Sequence, residues 1–135
     1  MKLLLLSVFF TSLIFLIIDV IWLSYSVKYL YRPQLGPLLT DKPVMWAAIL
    51  FYLVYILGLS LIVIKPAIAS DSIYQAFFHG LVLGLVAYGT YNLTNMATVK
   101  NWSPIVVMVD MLWGGFLTSL SSGTGIYLAK KIFFN

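Results

Sequence analysis

Two aspartates lie where a carboxylate is costly, inside long runs of apolar residues. Asp19 and Asp110 are each flanked on both sides by aliphatic and aromatic side chains. Ionisable groups within membrane-spanning segments are rare, and they usually line a pathway, relay protons or pair with another polar group. Asp19 and Asp110 are therefore the candidate residues for acid–base chemistry or for binding a polar group.

Lysines flanking the apolar runs serve as markers of depth. Lys28 follows Asp19 by nine residues, and Lys100 precedes Asp110 by ten. At a helical rise of about 1.5 Å per residue, each carboxylate lies roughly 14 Å from a charged boundary. If the chain crosses a membrane four times, both lysines mark the same boundary, and the two acids are expected at the same depth.

The same count places polar side chains of the other two apolar runs at this depth. Tyr52 follows Lys42 by ten residues, and Asn92 precedes Lys100 by eight. Helical spacing adds polar and aromatic neighbours on the same faces, and Arg32 lies in the first connection. The predicted ligand-binding residues are Asp19, Trp22, Arg32, Tyr52, Tyr55, Tyr88, Tyr91, Asn92, Asn95, Asp110 and Trp113.

Interhelical hydrogen bonding is the purely structural alternative for these residues. Such bonds typically contribute less than about 2 kcal/mol each. Placing two acids at membrane depth costs on the order of 5–7 kcal/mol. This difference favours a functional role for at least one of the two acids.

The spacing Asp19-x-x-Trp22 recurs as Asp110-x-x-Trp113. The two segments are expected to run antiparallel, as the first and fourth of four crossings. The tryptophans are then predicted to point to different depths, so we interpret the recurrence as similar local chemistry rather than an internal repeat.

The composition is that of a membrane protein. Hydrophobic residues make up 62% and charged residues 9% of the 135 residues, whereas a soluble domain has about a quarter charged. With no Cys and one His, we expect no disulfide, no metal site and no cofactor. The net charge of +4 is dispersed rather than gathered into a basic stripe, so nucleic acid is not an expected partner.

Four apolar runs predict an all-α polytopic membrane protein, a bundle of four transmembrane helices forming a single domain over residues 1–135. The first run is interpreted as a span rather than a cleaved signal peptide, because it is long and interrupted by Asp19 and Trp22. Each run is close to the ~20 residues that cross a bilayer. The predicted spans are residues 3–26, 44–64, 73–95 and 104–129.

Local signals predict where these helices begin and end. Lys65-Pro66 is expected to end the second helix. Asp71-Ser72 and Ser103-Pro104 are expected to cap the third and fourth. Residues 27–43 are predicted to form a structured or interfacial loop because they contain three prolines and Gly36.

An even number of crossings places both termini on the same side of the membrane. The paired Lys130-Lys131 and the amino terminus favour a cytoplasmic location for that side under the positive-inside rule. Gly80-x-x-x-Gly84 and the small residues of the fourth run predict close helix packing. That packing is expected either within the chain or, alternatively, in a homodimer.

The third run reads AYGTYNLTNMAT over residues 87–98, and this motif resembles a bacterial membrane family known as domain of unknown function 2177. The family pattern has an aspartate at the position of Asn92. The resemblance implies a four-helix protein of the bacterial inner membrane and implies no activity. It extends over essentially the whole chain, through Asp19-x-x-Trp22-Leu23, Tyr31-Arg32, Leu35-Gly36, Phe51-Tyr52, Tyr55, Gly58-Leu59, Asp110 and Trp113-Gly114.

Three functions are compatible with these features. The favoured hypothesis is that the polar and aromatic residues bind or carry a small amphiphile or a membrane lipid. A variant of this hypothesis is that the protein exports such a molecule in exchange for protons. The second is an accessory subunit whose partners are other membrane proteins. The third is an intramembrane lipid-modifying enzyme that uses Asp19 and Asp110 as general acid and base.

Overall fold

A computed structural model describes residues 1–134, which form four long helices and no strand. Each helix is long and apolar enough to cross a membrane, since about 20 residues suffice. The all-α, four-helix membrane architecture expected from the sequence is thereby confirmed. The helices are α1 (Lys2–Leu38), α2 (Met45–Ala69), α3 (Ile73–Thr98) and α4 (Pro104–Phe133).

Helix α4 is the centre of the bundle and packs chiefly against α1 and α3. Gly84 of α3 faces the backbone of Gly114, and Gly80 faces the backbone of Thr118. On the other side of α4, Gly125 faces Thr11 of α1. Small residues let helix backbones approach closely, which is the main source of attraction between helices in lipid. These glycines therefore pack within the chain.

The buried residues of helix α2 begin at Tyr55 and lie mostly in its second half. Leu59, Val63 and Ala67 are fully buried and share a core with Ala76 of α3 and Ile126 of α4. None of the residues that precede Tyr55 in α2 is buried. The bundle is therefore closed at the end near the chain termini and more open at the opposite end.

Helix α1 continues well beyond the predicted span. It runs past Ser26 through a π-helical turn at Val27–Tyr31 and ends at Leu38. Most of the segment predicted as a loop is therefore helical. The wider π turn admits an extra residue. Pro33 then lies in the first turn of the next α segment, a position that suits proline because it has no backbone N–H that needs a partner.

The prediction that Lys65-Pro66 ends the second helix is wrong. A second π turn, Ser60–Ile64, precedes this pair, and the Lys65 N–H bonds to the Ser60 carbonyl. Pro66 lies in the first turn of a further α segment, a position that requires no N–H donor. Helix α2 therefore ends at Ala69.

Both predicted serine caps are present. The Ser72 hydroxyl accepts a hydrogen bond from the Gln75 N–H at 3.2 Å, and the Ser103 hydroxyl accepts one from the Val106 N–H at 3.4 Å. These bonds satisfy backbone donors at the starts of α3 and α4, and they define the two short connections that reverse the chain.

Candidate functional site

Asp19 is held by donors from two other helices. The carboxylate is 5% exposed. The Tyr52 hydroxyl of α2 donates to its Oδ2 at 2.6 Å, and the Trp113 indole N–H of α4 donates to its Oδ1 at 3.2 Å. Asp19 thereby links three helices through both of its oxygens.

Asp110 has a matching arrangement with different donors. It is 8% exposed. The Asn92 amide of α3 donates to its Oδ2 at 2.6 Å, and the Tyr31 hydroxyl of α1 donates to its Oδ1. Both oxygens of each acid therefore accept a hydrogen bond, as suits a carboxylate.

Two stacked tryptophans join the surroundings of the two acids. The rings of Trp22 and Trp113 lie 4.3 Å apart between centroids, with 13° between their planes. The Trp22 indole N–H donates to the Tyr31 hydroxyl oxygen at 3.3 Å, and that hydroxyl in turn donates to Asp110. The prediction that the tryptophans point to separate depths is wrong, because these rings reach each other along the bundle axis.

The two acids do not lie at one depth, contrary to the prediction. Thr11 of α1 faces Gly125 of α4. Because α1 and α4 run antiparallel, Asp19, eight residues after Thr11, lies at about the level of Leu117, eight residues before Gly125. Asp110 precedes Leu117 by seven residues, or about two helical turns. Asp110 and Asp19 are therefore offset by about 10 Å along the bundle axis. The prediction failed because the lysine used as a depth marker lies within α1 rather than at its end.

Tyr31 is a site residue that the spacing of polar residues in the sequence did not predict. In a regular α-helix, Tyr31 would lie about 120° around the axis from Asp19. The π turn at Val27–Tyr31 takes up one extra residue and reduces this angle to about 20°. Hydropathy does not reveal a π turn, and the only signal in the sequence was the Tyr31-Arg32 pair within the family resemblance.

A cavity of about 630 Å³ lies between the four helices at the more open end of the bundle. Tyr55, Asn92 and Asn95 are the predicted site residues that do not line it. Tyr55 instead bonds to Thr118 at 2.7 Å. The predicted residues that do line the cavity are Asp19, Trp22, Arg32, Tyr52, Tyr88, Tyr91, Asp110 and Trp113.

The cavity wall also contains Trp102 and Leu35, which sequence analysis had not selected. The Trp102 indole N–H is buried and has no hydrogen-bond partner within residues 1–134. Arg32 forms no ion pair in the same part of the chain. Both residues lie toward the more open end of the cavity, so two donors are available there while the acids lie further inside.

A family model described as "Predicted membrane protein (DUF2177)" matches residues 4–127. No curated protein and no solved structure matches the chain. The matched region includes every residue that lines the cavity, from Asp19 to Trp113.

Proposed function

The chain belongs to the DUF2177 family of predicted membrane proteins, and from this premise we propose that it binds or carries a small amphiphile or lipid. The observation that supports the proposal is the cavity of about 630 Å³, with both buried acids in its wall. Cavities of this size, lined by apolar and aromatic side chains with a few polar groups, are the usual form of small-molecule sites.

The lining suggests how an amphiphile is oriented. Leu35 and Val106 provide apolar surface for a hydrocarbon portion. Arg32 and the unpartnered indole N–H of Trp102 can donate hydrogen bonds to oxygen atoms of a headgroup. Asp19 and Asp110 offer acceptors further inside.

Access from the bilayer is proposed between α1 and α2. Leu23 and Val27 of α1 line the cavity, as do Ala48 and Phe51 of α2. Leu23, Val27 and Phe51 are also 36%, 36% and 43% exposed. We propose that the cavity opens between these partly exposed side chains, where a lipid-soluble ligand can pass without leaving the membrane.

The test is native mass spectrometry of protein released from the membrane with a mild detergent. We expect a discrete retained mass on the wild type that is lost in Asp19→Asn, since this change removes charge but keeps the side-chain shape. Asp71→Asn is the matched control, because Asp71 is exposed and is not among the cavity residues. Bare protein in all three samples would contradict the proposal.

The accessory-subunit alternative predicts that both Asp→Asn changes are tolerated. Enlarging Gly80 or Gly84 does not test a partner surface, because both residues pack against α4 of the same chain. The enzyme alternative is less favoured. The axial offset of about 10 Å between Asp19 and Asp110 weighs against their acting as paired acid and base on one bond.

We further propose the bacterial inner membrane as the location, with both termini in the cytoplasm and membrane lipids as neighbours. The ion pair between Lys130 and Asp71 lies at the end of the bundle that contains the termini. Lys131 and the amino terminus add positive charge at this end, which supports a cytoplasmic orientation.

A further inference from the structure

The two buried acids in the cavity wall, Asp19 and Asp110, form no ion pair within the described residues. Within residues 1–134 the only ion pair joins Lys130 and Asp71 at the opposite end of the bundle. The side chains that donate to the two carboxylates are all neutral, from Tyr31, Tyr52, Asn92 and Trp113. The wall also contains a third carboxylate, Asp41, and a single cation, Arg32. This excess of acidic groups favours a positively charged occupant.

Each carboxylate retains the capacity to accept further hydrogen bonds. A carboxylate offers about four lone-pair sites, and Asp19 and Asp110 each use two in the bonds described above. Both residues line the cavity. A ligand nitrogen can therefore approach either acid without displacing the groups that hold it.

The aromatic residues of the cavity supply a second kind of attraction for a cation. Trp22 and Trp113 form a stack at the level between the two acids. Tyr88 and Tyr91 of α3 and Phe51 of α2 contribute further rings to the wall. Aromatic faces attract ammonium groups, and surrounding rings are a recurring means of binding quaternary ammonium ligands.

We propose that the amphiphile bound in this cavity has a headgroup with a cationic nitrogen, an amine or a quaternary ammonium, attracted by the negative charges of Asp19 and Asp110 and by the aromatic walls. This inference rests on the proposed amphiphile-binding function. The nitrogen can belong to a simple alkylammonium compound or to a zwitterionic phospholipid headgroup. For a phospholipid headgroup, Arg32 and Trp102 donate hydrogen bonds to the phosphate oxygens.

The experiment compares probes that differ only in the headgroup. Dodecylphosphocholine and dodecyl phosphate share a tail and a phosphate, and the first adds a quaternary nitrogen; dodecyltrimethylammonium has the nitrogen alone. Each is added below its micelle-forming concentration to protein in maltoside micelles. Binding is followed by native mass spectrometry and by the total tryptophan fluorescence, to which three tryptophans of the cavity wall, Trp22, Trp102 and Trp113, and the exposed Trp46 contribute.

We expect dodecylphosphocholine to bind at least about tenfold more tightly than dodecyl phosphate, because removing one charge from a buried attraction typically costs at least this factor. Asp19→Asn and Asp110→Asn should each remove most of this preference, while Asp71→Asn should preserve it. Binding of dodecyltrimethylammonium as well would assign the recognition to the nitrogen alone. Binding of dodecylphosphocholine only would support the inference with a phospholipid as the source.

Detectable and equal binding of dodecyl phosphate and dodecylphosphocholine would overturn the inference and leave amphiphile binding intact. Binding of dodecyltrimethylammonium alone would support the inference with an alkylammonium ion as the source. Absence of binding by all three probes would overturn both. The comparison of the two phosphate probes on the wild type requires no variant, so it decides the inference even if an Asp→Asn variant does not fold.

Discussion

Tyr31 connects the surroundings of the two buried acids. Its hydroxyl donates to Asp110 and accepts from the Trp22 indole, and Trp22 stacks on Trp113, which bonds to Asp19. One hydroxyl thus completes a path between two carboxylates on different helices. Removing it leaves the buried Asp110 carboxylate and the partly buried Trp22 indole each with one hydrogen bond fewer, and leaving a buried group unpaired is the costly way to lose a hydrogen bond.

Tyr31→Phe is expected to lower the free energy of unfolding by about 1–2 kcal/mol. Tyr29→Phe is the matched control, because Tyr29 lies in the same π turn, is 69% exposed and forms no hydrogen bond among the described residues. Unfolding in mixed micelles, titrated with a denaturing detergent, measures both. Equal stabilities for the two variants would show that the Tyr31 hydroxyl is not a structural link.

At the scale of elements, the α3–α4 contact depends on the absence of side chains at particular positions. A Cβ added at Gly84 would overlap the backbone of Gly114 and approach Gly115. Backbone cannot move aside as a flexible side chain can, so the two helices would have to separate. At Gly58 of α2, an added Cβ meets nothing within 4 Å.

Gly84→Ala and Gly58→Ala are therefore expected to have opposite effects. We expect Gly84→Ala to destabilise the protein by about 1–3 kcal/mol through overpacking. Gly58→Ala should leave stability unchanged or raise it by up to about 1 kcal/mol, since alanine loses less conformational freedom in a helix. Thermal unfolding in one detergent compares them directly, and a similar loss in both would refute close packing at Gly84.

The whole molecule is asymmetric along the bundle axis. The end near the termini has a packed core around Leu59 and Ile126, and the opposite end contains the cavity. A membrane protein with one open end presents its site to one side only, so the biological meaning of the cavity depends on which end faces the cytoplasm.

Cysteine labelling can determine that orientation, because the chain has no cysteine of its own. Ser70 lies in the α2–α3 connection and Lys100 in the α3–α4 connection. With cytoplasmic termini, a membrane-impermeant maleimide should label Lys100→Cys in intact cells and Ser70→Cys only after permeabilisation. The reverse pattern would place the termini outside, and labelling of both would contradict a single orientation.

Residue types in the sequence were enough to predict the four spans and both serine caps, because hydropathy and capping act over short stretches of chain. They also selected Asp19, Asp110, Tyr52 and Asn92 as polar residues within the spans. The hydrogen-bond partners of these residues depend on contacts between segments that are distant in the sequence.

Only the tertiary structure decided how the polar residues are arranged. The π turn in α1 rotates Tyr31 toward the acids, and the axial register of α1 against α4 offsets Asp19 from Asp110. The axial offset follows from the close approach of α1 to Gly125 of α4, and the rotation of Tyr31 follows from the extra residue in the π turn. Neither feature can be read from hydropathy. The count from flanking charges therefore selected three residues of the cavity wall, Asp19, Tyr52 and Asp110, but not their relative positions.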